Sequence, residues 1–196
     1  MFFKCFDKFI MCGLVLLIVM TGMVPAKAET VKELIDKGNG LTEQGKMEEA
    51  VKCYDKALEI DPKSIDALAA KGYVFYTMDK FDEATKCFNS ILEIDPKNFD
   101  ALYALGFLLY RNGKYDEALK CYDKALEVDP NSVQVYYGRY FILGEQKKSE
   151  DALTCVYKII DIEPKITEML DTIFSDMQEQ GKQEDVIKCC DRVLDK

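Results

Sequence analysis

The residue type with the most chemical potential in this chain is cysteine. Eight of the 196 residues are Cys. Five of them, Cys53, Cys87, Cys121, Cys155 and Cys189, recur every 34 residues, and Cys190 follows the last. Thiols can pair, bind zinc or attack an electrophile, but this spacing suits none of these uses. Equivalent positions in stacked helical units lie about 8–10 Å apart, whereas a disulfide needs Cα atoms within about 7 Å. A zinc site needs thiolates that converge from different units, and there is no C-x-x-C pair. The ladder is therefore expected to hold small, semi-buried free thiols. The chain has no histidine, which removes the commonest general base and transition-metal ligand. Neither a Ser-His-Asp nor a Cys-His site can be assembled from it alone. There is no phosphate-binding glycine loop and no nucleophile motif. No catalytic residue, metal site or cofactor is expected.

The 34-residue period extends beyond cysteine. Pro62, Pro96, Pro130 and Pro164 share it, as do Ala50, Ala84, Ala118 and Ala152, with Val186 at the fifth place. Each unit divides into two amphipathic helices. Leu102, Leu105, Gly106 and Leu109 fall on one helical face, and Tyr115, Ala118, Leu119, Tyr122, Ala125 and Leu126 fall on another. Small Gly106 and Ala118 would let the two helices approach closely. Gly113 between them suits a left-handed helix-ending residue. Pro130 stops the second helix, and Ser64, Asn98 and Ser132 stand where the next helix needs an N-cap. Glu48-Glu49, Asp82-Glu83 and Asp116-Glu117 open the second helices, where negative charge meets the helix dipole. The Asp-Pro pairs at 61–62, 95–96 and 129–130 read as turns.

A unit of this length and pattern resembles the tetratricopeptide repeat. Aligned from Val31, the eighth position reads Gly38, Gly72, Gly106, Tyr140 and Phe174. The twenty-fourth reads Tyr54, Phe88, Tyr122, Val156 and Cys190. The resemblance covers residues 31–196 as units 31–64, 65–98, 99–132, 133–166 and 167–196. It implies an all-α, right-handed superhelical solenoid of about five hairpins. The last two units depart from the pattern at Tyr140, Phe174 and Cys190, and bulky residues at the small position are expected to splay or shift those hairpins.

In proteins of this family the first helix of each unit lines a concave groove. The corresponding positions here hold Tyr73, Tyr76, Tyr103, Phe107, Tyr110, Tyr137 and Phe141. Spacings of 4 and 3 put the aromatics of each helix on one face, opposite the packed one. A patch of aromatics that packing does not need marks a binding surface, so the resemblance implies a non-catalytic scaffold that grips a protein or peptide there. The alternative is that these rings pack on one another and tighten the superhelix. Some members of the family hold acidic peptide tails with basic and amide side chains. The matching positions here are Ile35, Asn39, Ala70, Asp100 and Ala104, of which only Asn39 fits. A further alternative is a structural protein that dimerises through its C-terminal repeat.

The first 28 residues read as an export segment. Lys4 and Lys8 precede an uncharged run from Phe9 to Ala26, and Ala26-Lys27-Ala28 is a small-x-small cleavage site. An uncleaved anchor through residues 9–26 is the alternative. Either places the repeats outside the cytoplasmic membrane. Net charge is −9. The leader carries Lys4, Lys8 and Lys27 against Asp7, so the remainder stands at −11. That balance repels phosphate backbones and argues against nucleic acid.

Overall fold

The computed structural model describes residues 29–163 and 167–194. The expected leader 1–28 and Pro164 lie outside them. Ten α-helices account for the regular structure among the described residues: α1 Val31–Glu43, α2 Met47–Ile60, α3 Ile65–Thr77, α4 Phe81–Ile94, α5 Phe99–Arg111, α6 Tyr115–Val128, α7 Val133–Glu145, α8 Ser149–Ile162, α9 Thr167–Glu179 and α10 Gln183–Leu194. Each odd-numbered helix packs on the even-numbered helix that follows it, and each of the first four pairs packs on the next.

Local sequence sets the helix boundaries. Ser64, Asn98 and Ser132 cap α3, α5 and α7, accepting the backbone N–H of Ala67, Ala101 and Val135 at 3.4, 3.0 and 3.4 Å. Thr30 and Glu33 form a reciprocal capping box at α1. The even helices open differently. Lys46, Lys80, Lys114 and Lys148 occupy the N-cap without any side-chain hydrogen bond. Acidic residues in the first turn supply the stabilising negative charge instead. Before the prolines, Asp61, Asp95 and Asp129 accept the N–H of the second residue on, at 3.0, 3.1 and 3.0 Å. That bond closes the turn into the next hairpin.

Inside hairpins one to three, a glycine on the first helix meets an aromatic ring on the second. Tyr54, Phe88 and Tyr122 are buried to within 2% exposure, and Gly38, Gly72 and Gly106 make room for them. A Cβ at Gly106 would stand 2.6 Å from Tyr122 Cε1, and one at Gly138 of the following hairpin 2.7 Å from the Tyr122 hydroxyl. The close approach expected at Gly106 is thus made onto the Tyr122 ring.

Hairpin four corrects one expectation. Tyr140 at the small position does not splay it, since α7 and α8 pack as closely as the earlier pairs, but α6 meets α7 less extensively than α2 meets α3 or α4 meets α5, which is the shift also expected. The pair is reversed, with Tyr140 on the first helix and Val156 on the second, both buried. The final pair does differ. α10 rests on α8 as much as on α9, Phe174 is half-buried, and Cys190 faces solvent at the position that holds buried residues in the first four hairpins.

Candidate functional site: an aromatic face on the first helices

The six described cysteines are all unbonded. Cys53, Cys87, Cys155 and Cys189 are buried, Cys121 is half-buried and Cys190 is exposed. Burial pushes the Cys87, Cys121 and Cys155 thiols up and carries Cys189 to about 11. These thiols stay protonated near neutral pH and make poor nucleophiles. No group of three or more His, Cys, Asp or Glu among the described residues could hold a metal ion. No described helix is long and apolar enough to cross a membrane.

The aromatic residues singled out from the sequence gather on the odd helices. α3 and α5 together form a pocket of about 200 Å³ lined by Tyr73, Tyr76, Phe88, Tyr103, Ala104, Phe107 and Leu108. Its walls are fixed by ring contacts. Tyr73 meets Phe88 edge-on at 5.3 Å, Tyr76 meets Phe107 edge-on at 5.7 Å, and Tyr103 stacks on Tyr122 at 6.0 Å. Tyr110 continues the row beside Phe107 at 6.5 Å. On α7, Tyr137 and Phe141 meet at 4.9 Å.

Here the sequence-based expectation needs correction. The seven rings are not free of packing. Tyr73 is 48% exposed, but Tyr76, Tyr103, Phe107, Tyr110, Tyr137 and Phe141 are half-buried. Each ring therefore offers part of its surface to solvent and braces a neighbour with the rest. Sequence reasoning also missed Phe88, which sits on a second helix. The signal was available, because Gly72 opposite it leaves the ring room to reach the groove side.

Electrostatics keeps the tyrosine hydroxyls neutral. Burial raises Tyr73, Tyr103 and Tyr110 above the usual phenol range, and the nearby carboxylates of Asp100 at Tyr73 and of Glu145 and Asp176 at Tyr110 raise them further. The face can therefore offer apolar ring surface and phenolic donors, with carboxylates at its margins. A separate cleft of about 420 Å³ lies among α6, α7 and α8, between Asp123, Arg139, Asp151 and Lys158. There Arg139 is already paired with Asp123.

Comparison with known proteins agrees with this architecture. The tetratricopeptide repeat profile matches residues 99–132, and a related repeat profile matches 38–79 and 72–113. The chain belongs to the tetratricopeptide-repeat family. A search of curated proteins found no match. Among solved structures it is similar to MamA, with a TM-score of 0.69 at 18% identity over 81% of this chain and 92% of that one. It is also similar to YrrB, described as having an unusual peptide-binding site, with a TM-score of 0.66 at 22% identity over 89% and 90% of the two chains. A tetratricopeptide repeat protein from Parabacteroides merdae ATCC 43184 superposes with a TM-score of 0.74 at 23% identity, over 87% of this chain and 67% of that one.

Proposed function

We propose that this chain is a non-catalytic scaffold that holds a segment of a protein partner against the aromatic face of α3, α5 and α7. Tyr73, Tyr76, Tyr103, Phe107, Tyr110, Tyr137 and Phe141 supply the contacts. The observation that carries the reading is the aromatic pocket between α3 and α5. It is walled by rings that are braced from behind and open in front, with Tyr73 half out in solvent. Braced aromatics lose little conformational freedom on binding, so they anchor a partner at low entropic cost. The leader sequence supports a location outside the cytoplasmic membrane, either released after Ala28 or held through residues 9–26.

Photo-crosslinking tests the groove. With benzoylphenylalanine in place of Tyr73, the chain expressed in its native host should give a discrete adduct. The same residue in place of exposed Lys124, on a second helix, should give none. Adducts from Lys124 alone would move the interaction to the other side of the solenoid.

A second reading rests on α10. Ile187 is 60% exposed and Leu194 83% exposed, so this helix offers an apolar stripe to another copy of the chain. Light scattering separates the two readings, because a dimer lost on Ile187→Glu favours the structural one.

A further inference from the structure

The groove has a sign. Asp100 stands three and seven positions before Tyr103 and Phe107, and Asp66 stands seven before Tyr73. Glu145 stands four and eight after Phe141 and Tyr137. At these spacings each carboxylate shares a helix face with the aromatics, and all three are exposed. Proximity in space agrees: Asp100 acts on the Tyr73 hydroxyl, and Glu145 on that of Tyr110.

These carboxylates differ from others in the molecule. Asp55, Asp123 and Asp161 are neutralised by Lys71, Arg139 and Arg192 across neighbouring helices. No described ion pair engages Asp66, Asp100 or Glu145. The cation beside Tyr110 is Arg111, and its guanidinium lies over the Phe81 ring at 5.9 Å. The groove margin is left negative in a chain that is already acidic overall.

The pocket limits what can enter. At about 200 Å³ it is smaller than the roughly 300–1,000 Å³ typical of cofactor and drug-sized sites. It has room for one large apolar side chain.

We propose that the occupant is a cationic, apolar peptide segment. One aliphatic or aromatic side chain seats among Tyr73, Tyr76, Tyr103 and Phe107. Lysine or arginine side chains on either side of it face Asp66, Asp100 and Glu145. The charges steer encounter and reject acidic segments, while the pocket supplies most of the affinity. This rests on the groove reading above and goes beyond it in naming the chemistry of the partner.

A random peptide library displayed on phage and selected on the immobilised full chain tests it. Recovered peptides should carry Lys or Arg within a few positions of a large apolar residue. As synthetic peptides they should bind more weakly as salt rises. Changing Lys or Arg to Gln in the peptide should weaken binding about tenfold, the range of a charge pair at a partly desolvated site. The Asp66→Asn, Asp100→Asn, Glu145→Gln triple variant should lose a similar factor. The peptide-side change uses the unaltered chain, so it stands even if that variant folds poorly. Peptides that lose affinity on Tyr73→Ala yet show no basic bias and ignore the Lys→Gln change would overturn the charge inference and leave the groove reading intact. Peptides indifferent to Tyr73→Ala, or recovery of none, would overturn the groove reading itself.

Discussion

Hairpins three and four solve the same packing problem in opposite ways. In hairpin three, Gly106 on the first helix makes room for Tyr122 on the second. In hairpin four the ring moves to the first helix as Tyr140, and the second helix recedes to Val156. Both hairpins close. What the fold demands is one ring between the two helices, which either helix can supply. The exchange also redirects a hydroxyl. Tyr140 donates to the Asp176 carboxylate of α9, so the reversed pair tethers the next hairpin as well as filling its own.

The largest test of the comparison removes one side of each pair. Tyr122 is pressed by both Gly106 and Gly138 and is 1% exposed. Tyr122→Ala should cost about 3–5 kcal/mol, the usual loss for a buried aromatic. Val156→Ala removes two methyl groups and should cost about 2 kcal/mol. Urea melts measure both. Equal losses would mean that ring and valine are not the exchangeable halves of one contact.

Much of this was legible in the sequence. The 34-residue period, the caps at Ser64, Asn98 and Ser132, and the glycine and aromatic positions all follow from local chemistry that a single chain displays. The closure of hairpin four was not legible, because reading Tyr140 alone as too large ignores Val156 two turns into the partner helix. The packing role of the groove tyrosines was hidden for a related reason. Helical spacing tells which face a ring occupies, but not whether Phe88 of the next helix or Phe107 of the next unit comes within reach of it.

A middle-sized test isolates the tether. Tyr140→Phe keeps the ring and removes the bond to Asp176. Hydrogen bonds to charged groups contribute about 1.5–3 kcal/mol, so the loss should fall near the lower figure at this partly buried site. The pH dependence gives an independent readout. Burial first, and then the bond to Asp176, raise the Tyr140 phenol above its ordinary value of 10.0. The folded state therefore keeps the proton that the unfolded chain releases, so this contribution is fully present below pH 10 and declines as pH rises beyond it. Thermal melts at alkaline pH should show a shallower decline for Tyr140→Phe than for the parent chain. An unchanged slope would remove Tyr140 from the alkaline response.

The smallest effect concerns the joints between paired helices, where the hairpins again differ. Gly45, Gly113 and Gly181 adopt φ of 74°, 72° and 74°, while Asp79 and Lys147 occupy the equivalent places at 57° and 58°. The bonding is the same in each. Gly113 N–H donates to the Tyr110 carbonyl at 2.9 Å and Lys114 N–H to that of Leu109 at 2.9 Å; Asp79 and Lys80 reproduce this onto Tyr76 and Phe75 at 3.0 and 2.9 Å. The backbone thus forces a left-handed residue every 34 positions whether or not glycine is there. An L residue in that conformation costs about 1–2 kcal/mol, and glycine returns part of the gain through its freer unfolded chain, about 0.4–1 kcal/mol. Lys147→Gly should therefore stabilise the protein by about 0.5–1 kcal/mol. Asp79→Gly should give less, because aspartate tolerates this region better than lysine. Gly113→Ala should move stability the opposite way by about 1 kcal/mol. Urea midpoints for the three variants decide it: a neutral or destabilising Lys147→Gly would show that the joint at 147 carries no strain, and that hairpin four had adapted there as it did at Tyr140.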